Sequence, residues 1–403
     1  MEISFIIPSR NNKKYLEWAY NSIRKNQGNH KVEICVADDF SEDGTKEWCK
    51  EISKIDKEFK WIRNKGPERQ GLVILNDRLI NEVATNDICM IYHADMYLCP
   101  GALDSIEEHM YSVTADGVSV QYIKKPKTIV SLTRLEPSLH PPGPEKVLLD
   151  CGVEPEEFDE DMLLTQLERL KTKGKVTEGI FAPWAFWKSD FQEIGGHDIL
   201  FAPQSKEDSD IFNRFHLNGI KFIQTWEGFV YHMTSRGSRF NPYSGGAPGK
   251  NSQEWIGTTT RNTREFIRKW GHMIKHDALM KPIVPPKYDI GFILKNCTLK
   301  HLELLEPWCS TIYINNDRLN YIHSEQPNTS FNLEERVKPF DNEKNNNILI
   351  RIDGNTFGNE DFNYIQLMSE ILQNSSEIGR FELGNLTIEV VQLNTYENNL
   401  IKL

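Results

Sequence analysis

Ile3-Ser4-Phe5-Ile6-Ile7-Pro8 and Val32-Glu33-Ile34-Cys35-Val36-Ala37-Asp38 are two short strand-like runs, and between them Lys13 to Asn26 carries its apolar residues at helical spacing. The alternation continues outward: a helix near Thr45 to Ile55, a strand over Phe59 to Arg63, a helical pattern from Leu72 to Ala84, and a continuous apolar run from Ile88 to Tyr92. Strand, helix and strand repeated in this way predict parallel pairing with right-handed crossovers. The expected fold class is therefore α/β, a Rossmann-like, mostly parallel sheet covered by helices on both faces. Ligands of such sheets bind beyond the carboxyl ends of the strands, so the polar residues just after them are the first candidates for chemistry.

Further along, Lys124 to Glu178 turns Pro-rich and then acidic, and reads as an insertion. The α/β character returns with the aromatic-rich Gly179 to Trp187 and a helix near Asp208 to Asn218, followed by a Gly/Ser/Arg-rich stretch from His232 to Lys250 expected to be a mobile loop. Pro282, Pro285 and Pro286 mark a linker. The expected organisation is one domain over 1–280 with the insertion at about 124–178, and a second, smaller α/β domain over 284–403 that carries no chemical motif. At roughly 150 residues per domain, 403 residues fit two or three such units.

With 47 basic and 58 acidic residues the net charge is -11, so long-range electrostatics oppose nonspecific binding to nucleic acid or an anionic membrane. No apolar stretch approaches the ~18 residues of a membrane span. The seven cysteines form no C-x-x-C and imply neither a zinc site nor a disulfide framework. A cytoplasmic location is expected.

Four constellations follow strands or open helices. Pro8-Ser9-Arg10-Asn11 is joined by Asp38-Asp39-Phe40-Ser41-Glu42-Asp43-Gly44-Thr45. Asp43 and Thr45 suit helix capping, whereas two adjacent carboxylates at a buried strand end need donors that a nucleobase imide or ribose hydroxyls would supply. In Tyr92-His93-Ala94-Asp95 a carboxylate two residues from an imidazole can hold a divalent cation beside a diphosphate. Gly195-Gly196-His197-Asp198 precedes Lys206-Glu207-Asp208-Ser209-Asp210, more acid than capping requires. Val230-Tyr231-His232 ends an apolar run, and its imidazole is either a satisfied core group or a metal ligand with a carboxylate partner.

In order and spacing these elements resemble family 2 glycosyltransferases of the GT-A fold over about residues 1–275, with the C-terminal domain outside the resemblance. Ile6-Ile7-Pro8-Ser9-Arg10-Asn11 is similar to the family's nucleotide-binding opening, Asp38 to Thr45 to its D-D-x-S-x-D-G-T element, and His93-Ala94-Asp95 stands where its D-x-D belongs, with His93 at the first acidic position. Gly195 to Asp198 and Glu207-Asp208 are similar to its G-G-x-D and E-D elements. Lys269-Trp270-Gly271 is similar to a K-W-G ending seen in some members.

The resemblance implies a metal-dependent, inverting glycosyltransferase that moves a sugar from a nucleoside diphosphate, a UDP-sugar first among the donors, to an acceptor hydroxyl. It implies that Asp95 and His232 hold Mn²⁺ or Mg²⁺, that Pro8, Ser9, Arg10, Asp38, Asp39, Asn76, His93 and Ala94 contact the nucleotide, and that Asp208 deprotonates the acceptor. Glu207, the aromatic Trp184 and a lid carrying Arg236 and Arg239 are candidate acceptor or closing residues. The acceptor is open: a glycan, another hydroxyl compound, or a nucleic acid reached through the Lys250, Arg261, Arg264, Arg268 and Lys269 cluster, which equally reads as a solvated face. Self-association through the C-terminal domain is a further expectation. Two other readings compete, a nucleotidyltransferase of related sheet architecture and a non-catalytic scaffold in which His93 marks a decayed site.

Overall fold

The computed structural model describes residues 1–115, 120–236 and 239–396, and divides them into two compact units. The first takes residues 1–258 and 276–283; the second takes 259–275 and the chain from 284 onward.

In the first unit the expected alternation forms β1 (Glu2–Ser9), α1 (Lys13–Asn26), β2 (Lys31–Asp38), α2 (Thr45–Ile55), β3 (Phe59–Arg63), α3 (Gly71–Arg78), β4 (Ile88–Ile91), β5 (Met96–Leu98) and α4 (Ala102–Met110). A hairpin of β6 (Tyr111–Ala115) and β7 (Val120–Lys124) leads to β8 (Thr128–Glu136), β9 (Lys146–Leu148), α5 (Glu160–Leu170), β10 (Val176–Thr177), β11 (Trp184–Trp187), α6 (Lys188–Glu193), α7 (Glu207–Leu217) and β12 (Lys221–His232). The main sheet runs β10-β12-β8-β11-β4-β1-β2-β3, with β5 on β12 and β9 on β8. β3, β2, β1 and β4 are mutually parallel, β11 is antiparallel to both β4 and β8, and β8 and β12 are again parallel. This is the mostly parallel, helix-flanked α/β sheet that the alternation implied.

Two expectations are corrected. The segment 124–178 is no simple insertion, because β8 lies inside the sheet between β11 and β12 and is buried along its length. Trp184 is no acceptor contact: Trp184, Phe186 and Trp187 are all buried, and Trp184 packs against Phe186, Phe212 and Phe215. A strand between two other strands, covered on both faces, has no outward side to offer a sugar.

α8 (Gln253–Trp270) ends at Gly271, whose φ of 77° is the left-handed C-terminal turn that glycine takes without strain. The second unit contains β13 (Ile290–Lys295), α9 (Leu299–Leu305), β14 (Thr311–Tyr313), α10 (Arg318–Glu325), α11 (Leu333–Arg336), β15 (Val337–Lys338), β16 (Ile348–Asp353), α12 (Asn359–Gln366), α13 (Met368–Ser375), β17 (Gly379–Leu383) and β18 (Leu386–Val390). They build a six-stranded sheet in the order β15-β14-β13-β16-β18-β17, the smaller α/β unit expected at this end of the chain. Here the cluster of Arg264 and Arg268 is neither a basic surface nor a solvated face. Arg268 is buried and bonds Glu306 and Glu265, and Arg264 bonds Glu325 and the Tyr321 hydroxyl.

Candidate active site

The carboxyl ends of β1, β2 and β4 bring two of the four constellations to one edge of the first unit, β12 delivers the fourth, and the third lies between α6 and the first turn of α7. Asp38, the last residue of β2, is buried; Arg63 bonds one of its oxygens and the Ser41 amide donates to the other at 2.8 Å. Asp39 accepts from the Asn64 side-chain amide at 2.8 Å, from the Gln70 amide at 3.0 Å and from the Gly71 amide at 2.8 Å. The donors that two adjacent buried carboxylates demand thus come in large part from the chain itself, and Arg63, Asn64 and Gln70 belong to the site though the sequence reading passed over them. Asp43 does what capping predicts: it accepts from the Lys13 amide at 2.7 Å and from the Thr45 hydroxyl at 2.5 Å, tying the start of α1 to that of α2.

Around these carboxylates the remaining nucleotide candidates divide. Ser9 and Asn76 are buried, and Ser9 Oγ and Asn76 Oδ1 find no hydrogen-bond partner among the described residues. Orphaned buried polar atoms, here one at the end of β1 and one within α3, are unusual and available to a ligand. Arg10 is half-buried and faces Glu254 at 3.6 Å, while Pro8 lies within β1.

The fourth strand turns at His93-Ala94-Asp95 before β5 begins, and β5 pairs with the end of β12, setting His232 opposite Met96. That pairing brings His93, Asp95 and His232 together, each with one ligand atom within 4.8 Å of the others. His232 Nε2 lies 3.5 Å from Asp95 Oδ1, and its Nδ1 is 2.8 Å from Glu136 Oε1. Glu136, at the end of β8, is in turn held by Arg134 and Lys146, each at 2.9 Å. A carboxylate on the far nitrogen fixes the ring and its tautomer, leaving Nε2 to face the cluster, an arrangement typical of metal-ligating histidines.

Nε2 is buried and makes no hydrogen bond to any described residue, and two imidazoles with one carboxylate form a donor set that suits a divalent transition ion. The residues therefore fit a metal. Ala94, between the two ligand candidates, is buried and offers only its backbone.

The charges are mutually adjusted. Burial disfavours the ionised form of Asp95, but His232, His93 and the Arg236 amide, which donates to Asp95 Oδ2 at 2.6 Å, hold its carboxyl far below the usual range. Burial likewise disfavours charge on His232, yet Asp95 and Glu136 outweigh it and push the imidazole up to about 9. His93 moves the other way, lowered first by burial and then by His232, with Asp95 opposing.

Asp208 opens α7. Burial raises its pKa, while His93 and His197 act in the opposite direction, so all three share one electrostatic environment. Glu207 beside it is pushed up to about 8 by burial and by Asp208, and its Oε2 is another buried atom with no hydrogen bond among the described residues. The other acids in this run serve the scaffold. Asp210 pairs with Arg214 at 2.8 Å inside the core, and Arg214 also donates to the Ile194 carbonyl at 3.0 Å. Asp77, a further residue the sequence reading missed, grips the glycine turn: it accepts from the His197 amide at 3.2 Å and meets its Nδ1 at 2.6 Å.

The stretch after His232, expected as a loop too poor in apolar residues to pack, is partly packed. Arg236, Phe240 and Asn241 are buried, and Asn241 donates to Asn12 at 3.1 Å. Arg239 lies over the Trp255 ring, 4.6 Å from its centroid, and donates to Asn251 at 2.5 Å, so it is turned to its own segment.

Residues 4–195 match the family model described as glycosyl transferase family 2. Among curated proteins, the chain is 33% identical over 118 residues to the abequosyltransferase RfbV of Salmonella typhimurium strain LT2, a match that covers 28% of this chain and 33% of that protein. The aligned part thus spans about a third of the relative's length. Similar solved structures include GalNAc-T7 with UDP, GalNAc and Mn²⁺ (16% identity, 67% of this chain and 48% of that chain, TM-score 0.44). The mannosyltransferase PcManGT of Pyrobaculum calidifontis with GDP-Man and Mn²⁺ is another (15% identity, 66% and 63%, TM-score 0.41). TarS 1–349 of S. aureus is a third (13% identity, 59% and 61%, TM-score 0.40).

Proposed function

We propose, from the match of residues 4–195 to the glycosyl transferase family 2 model, that the protein is a metal-dependent glycosyltransferase of the GT-A type, moving a sugar from a nucleoside diphosphate to an acceptor hydroxyl with inversion of configuration. The single observation that carries the metal and its place is the convergence of His93, Asp95 and His232 within 4.8 Å at the carboxyl edge of the sheet. Bound there, a divalent ion would act as a Lewis acid for the departing diphosphate. The two imidazoles favour Mn²⁺ over Mg²⁺, which prefers an all-oxygen shell.

The chain's own groups do the rest. Ser9, Asn76 and the Asp38–Asp39 corner take the nucleoside, with a UDP-sugar the first donor to test. Asp208, whose pKa is raised by burial, accepts the acceptor's proton as its oxygen attacks the anomeric carbon. One base and one displacement invert the centre. Arg236 is directed at the diphosphate. The proposed acceptor is a glycan or a related hydroxyl compound; no helix among the described residues is long and apolar enough to cross a membrane.

Thermal unfolding with a panel of nucleoside diphosphates, with Mn²⁺ or with EDTA, tests this for the wild type and Asp95→Ala. Ligand at about 100 times its Kd adds about 2.7 kcal/mol, which moves the midpoint by several degrees. A shift for one nucleotide series that needs both the metal and Asp95 supports the proposal, and no shift with any nucleotide refutes it.

A further inference from the structure

Arg236 touches the metal-ligand candidate Asp95 through its own backbone, and its side chain is 2% exposed. Of its guanidinium nitrogens, Nη2 meets Glu154, while Nε and Nη1 make no hydrogen bond to any described residue. A buried guanidinium with two idle donors is costly unless something anionic takes them. Anionic phosphate oxygens are the matching acceptors for charge-assisted hydrogen bonds from these donors.

What aims the guanidinium is Glu154. Its Oε1 holds Arg236, and its Oε2 accepts from the Tyr15 hydroxyl at 2.6 Å and from Lys14 Nζ at 2.7 Å. Tyr15 and Lys14 stand on the first turn of α1, directly after the Pro8-Ser9-Arg10-Asn11 corner. The Arg236 guanidinium also sits 5.8 Å from the Tyr15 ring centroid, so the same residue limits it from two directions. The backbone of Arg236 fixes Asp95, and its side chain is fixed by a carboxylate anchored to the nucleotide-binding edge.

We propose that Glu154 is a positioning residue for the donor's distal phosphate: held by Tyr15 and Lys14, it orients Arg236 so that one of its free N–H groups donates to the β-phosphate of a nucleoside diphosphate. This rests on the donor-site reading above and extends it to a residue outside every motif. Glu154 touches no substrate itself. Its effect passes through Arg236, and it is confined to the second phosphate.

The test is calorimetric binding of UDP, GDP, CDP and dTDP, and of the corresponding monophosphates, with Mn²⁺, to the wild type, Glu154→Ala, Glu154→Gln, Arg236→Ala and the Glu154→Ala/Arg236→Ala double variant. Loss of an outer partner of this kind typically costs about tenfold or more in affinity. Glu154→Ala is expected to weaken the bound diphosphate about tenfold while leaving the monophosphate unchanged, Glu154→Gln to fall between, and the double variant to match Arg236→Ala alone. Equal weakening of mono- and diphosphate means a purely structural role and overturns the inference, as does diphosphate binding by Glu154→Ala at wild-type strength. Additive losses in the double variant also overturn it. If the wild type binds none of the four diphosphates, the donor-site reading falls and takes this inference with it.

Discussion

Raising the pH from about 7 to about 9 is expected to tighten Mn²⁺ binding at His93, Asp95 and His232 by about tenfold per unit, because one proton must leave for each ion that enters. That proton sits on His232. Burial works against it, but Asp95 at 3.5 Å and Glu136 at 2.8 Å hold it, and the imidazole is pushed up to about 9. His93, lowered by burial, has none to give at neutral pH, and Asp95 is ionised throughout. Two pH units therefore amount to about a hundredfold in Kd, or about 2.7 kcal/mol at 1.36 kcal/mol per unit.

Glu136→Gln keeps the shape and removes one of the two charges that retain the proton. The slope should then flatten at a lower pH, while the Kd at about pH 9 rises by about 10- to 100-fold through loss of the carboxylate behind the ring. Electron paramagnetic resonance of free Mn²⁺ gives the Kd, and calorimetry in two buffers of different ionisation enthalpy counts the protons. A Kd that stays flat between about pH 7 and 9, or no proton release at about pH 7, would refute the reasoning. The sign for stability follows from the same group. A folded-state pKa raised above the unfolded value of about 6.5 gives the metal-free protein stability that is fully present below about 6.5 and lost as pH rises through about 9.

Two further outcomes test the scaffold. Gly196 has a φ of 72°, and a Cβ there would lie 2.3 Å from Asp77 Oδ2, so Gly196→Ala should cost on the order of 1–3 kcal/mol and loosen the turn that leads to Asp208; an unchanged melting temperature and turnover would contradict this. In the second unit Glu306 is fully buried and accepts from Arg268 at 2.7 Å, Arg336 at 2.6 Å and Tyr321 at 2.8 Å. Glu306→Ala leaves the buried Arg268 and the half-buried Arg336 without their central carboxylate and should destabilise by about 3–5 kcal/mol in urea unfolding. A loss below about 1 kcal/mol would show the network to be dispensable.

The sheet from β1 to β4 was legible because β1, β2 and β4 are buried on both faces and α1 and α2 are amphipathic, so local pattern and global fold agree. The motif residues were legible because they stand immediately after those strands. Glu136 was not, since its place behind His232 depends on β8 pairing with β12 some ninety residues later, and a Pro-rich flank disguised the strand. The aromatic strand at Trp184 reads either as core or, from its alternation, as one wet face, and neighbouring strands and helices close both faces. Arg236 was placed in a mobile loop by composition, and what packs that loop is Phe240, together with bonds to Asp95, Glu154 and Asn12 that come from distant parts of the chain. Asp77 was hidden by its neighbour Asn76, one step along a helix whose polar residues gave no sign of which one gripped the turn.

The most direct test of the account is release of nucleoside diphosphate from a panel of nucleotide sugars, followed by mass spectrometry, for the wild type and Asp208→Asn with Mn²⁺ or EDTA. One donor series should give product with the wild type and Mn²⁺ only, and Asp208→Asn should lose about 10²–10⁴-fold in rate while still binding the free nucleoside diphosphate. Release that proceeds equally in EDTA, or undiminished in Asp208→Asn, would contradict it.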